Sequence, residues 1–153
     1  MLLLVPVLMA AVGVASGFSS GSVGWACDSM APGHLLTSAE ESPSPFEVYA
    51  EEYEAGYYLV TAFGRSDQFK GLIMQAHSPR REKVGVFRQV DNGQTLDCDF
   101  EGDAVAHNNA NLKSQIRALW HPNGYSGPVR FRATMLKSYG TYWTDILSNT
   151  LVV

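Results

Sequence analysis

The stretch Phe69–Ala76 (FKGLIMQA) constrains this chain more than any other. It is mostly apolar and is fenced by turn formers, Gly64-Arg65-Ser66-Asp67 before it and His77-Ser78-Pro79 after it. An apolar run this short, bounded this way, reads as a strand buried on much of both faces. A helix is the competing reading, but the run is short for one and Gly71 weakens it. A glycine inside a strand marks a bulge or a close approach by a neighbour. The expectation is a central strand with a neighbour packed tightly over Gly71.

The segments around it read the same way. Trp25 to Ser44 is rich in Ser, Pro and Gly and reads as an extended arm, with Pro32, Pro43 and Pro45 each biasing the preceding residue away from helix. Phe46–Ala50 alternates with period two, Glu51 to Gly56 is a polar turn, and Tyr57–Phe63 is aromatic and β-branched. Val84–Val90 returns as a strand, and Asp91-Asn92-Gly93 is a tight-turn signal. Thr95–Phe100, carrying Cys98, is the next strand, followed by the brief Ala104–His107 and the loop Asn108–Asn111. Leu112–Trp120 fits a helix face or a strand face, and its strand neighbours favour the strand. In Gly127–Met135, Val129, Phe131 and Ala133 alternate with Arg130, Arg132 and Thr134, so one face is buried and one is wet. Tyr142–Leu147 closes the domain. Eight or nine short strands at near-regular spacing, with no helix among them, predict an all-β fold, an antiparallel two-sheet sandwich.

The chain has 153 residues, a length that suits one domain. Met1 to Gly17 (MLLLVPVLMAAVGVASG) carries no charge and ends in small residues, so residues 1–17 read as a secretory signal peptide. Ser19-Ser20-Gly21 offers a second small-x-small cleavage site, and the usual positive start is missing. A membrane anchor is the alternative, but Pro6 and Gly13 interrupt a run that is short for a span. No second apolar run of spanning length follows, so no stable membrane insertion is expected.

The formal net charge is −4, which argues against general nucleic-acid binding. The charge is uneven. Glu40, Glu41, Glu47, Glu51, Glu52 and Glu54 cluster without a Lys or Arg, whereas Arg65, Lys70, Arg80, Arg81, Lys83 and Arg88 stand against only Asp67 and Glu82. Such asymmetry fits a solvated surface or an anionic partner on one side. The cysteines are Cys27 and Cys98. In a secreted chain an even count suggests a disulfide, and closing a loop that long is worth roughly 4 kcal/mol in the chain-entropy model; two free thiols are the alternative. No Asn-x-Ser/Thr sequon occurs.

These residues resemble the reeler domain. Cys27-x-x-Met30-x-Pro32-x-His34 opens the match, and Phe69-Lys70-Gly71-Leu72-x-x-Gln75-Ala76 is its most recognisable run. Gly85-x-Phe87, Leu96-x-Cys98, Ala104-Val105-x-His107, Lys113, Trp120-x-Pro122, Gly127-x-Val129-x-Phe131 and Tyr142-Trp143 follow in order. Ala106 stands where the family often has Thr, and Tyr142 where it often has Phe. The resemblance places a reeler domain over residues 24–153. It implies an immunoglobulin-like sandwich, secretion, and a Cys27–Cys98 disulfide. It also points to the free-standing defence proteins of insects rather than to the larger reeler proteins. Met30, Pro32, His34, Phe69, Lys70, Gly71, His107, Trp120 and Trp143 are then structural motif positions.

No catalytic constellation stands out. His34, His77, His107 and His121 include no pair at the spacing of a helical metal site, and there is no Gly-x-Ser-x-Gly, P-loop or dinucleotide fingerprint. Neither an enzyme nor a metal or other cofactor is expected. Trp120, Phe131 and Trp143 read as core, while Tyr53, Tyr57, Tyr58, Tyr125 and Tyr139 lie at or near turns where some could stack on sugars. The sharpest candidate site is the loop His77–Lys83, where Arg80, Arg81 and Lys83 could meet the phosphates of lipopolysaccharide or lipoteichoic acid. The resemblance, together with the single-domain organisation, implies a secreted innate-immunity protein that binds microbial surface polyanions or glycans. The alternative is an extracellular adhesion module that binds a host protein. A membrane-damaging antimicrobial fits the negative charge poorly, and a small-molecule carrier would need a cavity between the sheets.

Overall fold

The computed structural model describes residues 26–32 and 37–153. Within them the chain forms ten strands: β1 (Phe46–Glu54), β2 (Tyr57–Gly64), β3 (Gly71–His77), β4 (Val86–Asp91), β5 (Gly93–Leu96), β6 (Ala104–His107), β7 (Gln115–His121), β8 (Pro128–Ser138), β9 (Thr141–Leu147) and β10 (Leu151–Val152). They make two antiparallel sheets. One runs β1-β2-β7-β4; the other runs β10-β8-β3-β6-β5, with β9 also on β8. The all-β sandwich expected from the sequence is the fold. The expected signal segment and His34 lie outside the described residues.

The strand expected at the centre is there. β3 pairs β8 along its whole length and β6 on its other side, and its first six residues are all buried. The neighbour over Gly71 is a side chain: a Cβ added there would meet the His107 ring at 3.2 Å. His107 Nδ1 accepts the Leu72 N–H at 3.0 Å, so β6 holds β3 by a side chain as well as by the ladder.

Between the sheets, Trp120 is fully buried and stands edge-on to Phe131, ring centres 5.2 Å apart. Its indole N–H donates to the Val84 carbonyl at 3.1 Å, so the one polar atom of the ring is satisfied. Gly85 passes against the same indole with φ +70°; a Cβ there would lie 2.3 Å from the ring. Phe46 links Phe69 and Trp143, each with centroids 5.6 Å away, and closes the other end of the core.

Four details depart from expectation. β1 extends to Glu54, not Ala50, because an edge strand can be polar on both sides and still pair with β2. Asn92 does turn the chain, with φ 64°, but it hands it from one sheet to the other: β4 pairs β7 while β5 pairs β6. β5 ends at Leu96, so Cys98 sits in the following loop rather than on a strand. β10 pairs Leu151 with Val129 and brings the strand count to ten, where eight or nine were expected.

Edge strand β1 is blunted by side chains. Asn149 accepts the Ala50 N–H and donates to the Ala50 carbonyl, both at 2.9 Å. Ser44 Oγ does the same for Phe46, at 3.0 and 2.9 Å. Main-chain groups that would otherwise template another strand are thus occupied.

Candidate functional site

The outer face of the six-stranded sheet is covered at one end and open at the other. On β3, Ile73, Gln75 and His77 point outward, opposite to the core-facing Leu72, Met74 and Ala76. On β8, the pairing sets Thr134 beside Ile73, Arg132 beside Gln75 and Arg130 beside His77. The N-terminal segment lies over the first of these rows. Ala26 and Met30 pack on Ile73 and Ala106, and Thr134 donates its hydroxyl to the Met30 carbonyl. Gln75 donates to the Cys27 carbonyl at 2.7 Å.

The Cys27–Cys98 disulfide, 71 residues apart in sequence with Cα atoms at 5.7 Å, pins this segment down. Asp103 organises the far side of the bridge. Buried at 1% exposure, its carboxylate accepts the N–H groups of Cys98, Asp99 and Phe100 at 2.7, 2.8 and 3.1 Å. Lys83 belongs to the same region. Its ammonium lies 3.0 Å from Asp99 and 3.6 Å from Asp28, and its side chain is only 11% exposed.

Past the covered rows the face opens into a groove of about 430 Å³. Its cationic side is Arg81, Arg130 and Arg132 with His77; Pro79, Val129 and Leu147 supply an apolar side, and Asp145 a carboxylate. The loop between β3 and Lys83 is tight: His77 bridges Lys83, Ser78 N–H donates to Glu82 O at 3.0 Å, and Arg81 N–H donates to Ser78 O at 2.8 Å. This fixes Arg81 in the left-handed region at φ 63°. Arg132 is neutralised by Asp145, with which it forms an ion pair. Arg130 donates Nε–H to the Ser148 carbonyl at 3.3 Å, and its terminal nitrogens take no partner among the described residues. The Arg81 guanidinium likewise has no hydrogen bond or ion pair among them.

His77 reports the local field. Its Nε2 lies 2.8 Å from Gln75 Oε1, an acceptor, so Nε2 carries the proton. Burial first, then Arg132, Lys83 and Arg81, push its pKa down from 6.5 to about 4. The ring is therefore neutral at physiological pH, beside the charges of Arg132, Lys83 and Arg81.

Of the residues singled out in the loop, Arg81 lines the groove, Arg80 is exposed outside it, and Lys83 faces the disulfide loop. In the sequence Arg130 and Arg132 stand out only as the wet face of an alternating strand. Their alternation put them on one face, but the register that sets them beside His77 and Gln75 is a long-range pairing. Trp120, Phe131 and Trp143 lie in the core. Among the described residues, no three His, Cys, Asp or Glu side chains come together as a metal site, and no helix is long and apolar enough to cross a membrane.

Comparison with known proteins agrees with this architecture. Defense protein l(2)34Fc of Drosophila melanogaster is 29% identical over 89% of this chain and 89% of its own. Ferric-chelate reductase 1 of Homo sapiens is 26% identical over 92% of this chain, but the match spans only 25% of that protein. The human F-spondin reeler domain crystal structure superposes with a TM-score of 0.62 at 19% identity, covering 78% of this chain and 95% of that one. The reeler domain family model matches residues 25–153, and the chain belongs to that family.

Proposed function

We propose that this is a secreted defence protein that binds phosphate-rich microbial surface molecules, lipopolysaccharide and lipoteichoic acid, through the arginine groove. The observation that carries the reading is the pair Arg81 and Arg130, both with terminal guanidinium nitrogens unpartnered among the described residues, at the open end of an otherwise covered sheet face. A planar guanidinium presents parallel donors that match phosphate oxygens. The apolar side formed by Pro79 and Leu147 suits the carbon skeleton of a sugar beside that phosphate. At a net charge of −4, attraction to polyanions has to be local. The general defence role is supported by relatives of matching length, such as the Drosophila melanogaster defense protein. The disulfide supports an oxidising, extracellular setting. The role is binding, with no reaction assigned to the groove.

A pull-down of the oxidised protein on whole Gram-negative and Gram-positive bacteria tests this, with an unrelated secreted sandwich domain as control. Binding above control that weakens as salt rises is the expected result. Binding no greater than the control would overturn the reading and favour a host protein partner.

A further inference from the structure

Strands β1 and β2 carry four tyrosines, Tyr49, Tyr53, Tyr57 and Tyr58; Tyr58 packs on the core against Trp120, ring centroids 5.9 Å apart, and the structure separates the other three. Tyr49 is 51% exposed but sits in the ladder, paired with Thr61. Tyr57 is half-buried and packs against the His121 ring, centroids 5.0 Å apart and planes tilted by 56°. Tyr53 differs from both. The register steps from Glu52↔Tyr58 to Glu54↔Tyr57, so Tyr53 is the extra residue of a β-bulge and has no cross-strand partner. It is 56% exposed, and its hydroxyl makes no hydrogen bond among the described residues. It stands on an edge strand, beside the turn at Gly56 (φ +81°), where local opening is cheapest. Glu51, Glu52 and Glu54 flank it, all exposed.

We propose that Tyr53 is a site of tyrosine O-sulfation, acquired as the chain passes through the secretory pathway. The inference rests on the secretion part of the function proposed above. An exposed phenol free of partners can enter a transferase active site. A run of carboxylates around it pairs with the basic surface that an enzyme handling an anionic sulfuryl donor must carry. In the transfer, the phenolic oxygen attacks the sulfur of a nucleotide phosphosulfate. The new O–S ester bond forms as the S–O bond to phosphate breaks. The phosphate leaves with that electron pair, and the phenolic proton goes to a base of the transferase. The product is a fixed anion on the acidic hairpin, with oxygens that an arginine fork of a partner can hold.

The test is expression of the full chain in cultured eukaryotic cells, with intact-mass and peptide mass spectrometry of the protein recovered from the medium. Tyr53→Phe, Tyr49→Phe and the pair Glu52→Gln/Glu54→Gln are run beside the wild type. The expected result is a sulfuryl group on the Tyr53 peptide that resists phosphatase, vanishes in Tyr53→Phe, persists in Tyr49→Phe and falls several-fold in the glutamine pair. Secreted protein without the group, with it only at another tyrosine, or with a phosphatase-sensitive phosphoryl group instead, would overturn the assignment while leaving secretion intact. Protein retained in the cell would overturn both.

Discussion

Lys113 holds its ammonium where little water reaches, at 5% residue exposure. Nζ donates to the carbonyls of Lys70, Asn109 and Asn111 at 3.0, 2.9 and 2.6 Å, tying the loop before β7 to the entry of β3. Burial lowers its pKa from the ordinary value. Lys113→Met would keep the stem and leave three carbonyls without this donor, so a loss of about 3 kcal/mol or more is expected from the unpaired acceptors; the denaturant midpoint measures it. His77 makes a pH prediction. Its folded pKa of about 4 lies below the unfolded 6.5, so between those values the unfolded chain binds a proton that the folded chain refuses. Its contribution is fully present above pH 6.5 and is lost as pH falls through about 4. Thermal melts across that window should fall less steeply for His77→Gln than for the wild type; parallel curves would contradict it. Asp145 occupies Arg132, so Asp145→Asn should release that guanidinium and tighten anion binding. An unchanged dissociation constant would show that Arg132 takes no part.

At the level of elements, β3 and β8 were legible because burial writes itself into sequence: one is a mostly apolar run, and the other alternates from Pro128 to Ala133. Edge elements were less so. Glu51, Glu52 and Glu54 resemble a turn because β1 is exposed on both faces from Glu51 to its end, and two-residue β10 is too short to leave a pattern. Its neighbour Asn149 was also silent in the sequence, since its role depends on meeting Ala50, 99 residues away. Asn149→Ala removes two main-chain bonds, a loss of about 1–3 kcal/mol at the usual worth of such bonds. It also unblocks the edge of β1. Light scattering should show faster aggregation near the melting temperature than for the wild type, and equal rates would mean that the plug at Ser44 suffices.

For the whole molecule, the basic block in the sequence does not become one basic patch. Arg65 pairs with Glu47, Lys83 turns to Asp99 and Asp28, and Arg80 stays outside the groove. Only Arg81 remains at the groove, joined there by Arg130 and Arg132 from a strand some fifty residues later. Of the three cations singled out in the loop the groove keeps Arg81 alone, and β8 supplies the other two. That choice gives the most direct test. Dissociation constants for lipopolysaccharide and lipoteichoic acid would be measured for two double variants, Arg81→Ser/Arg130→Ser in the groove and Arg80→Ser/Lys83→Ser outside it. A charge-assisted hydrogen bond contributes about 1.5–3 kcal/mol, so the groove pair should weaken binding by about a hundredfold or more and the outer pair only slightly. Equal losses, or a loss confined to the outer pair, would contradict the groove as the binding site.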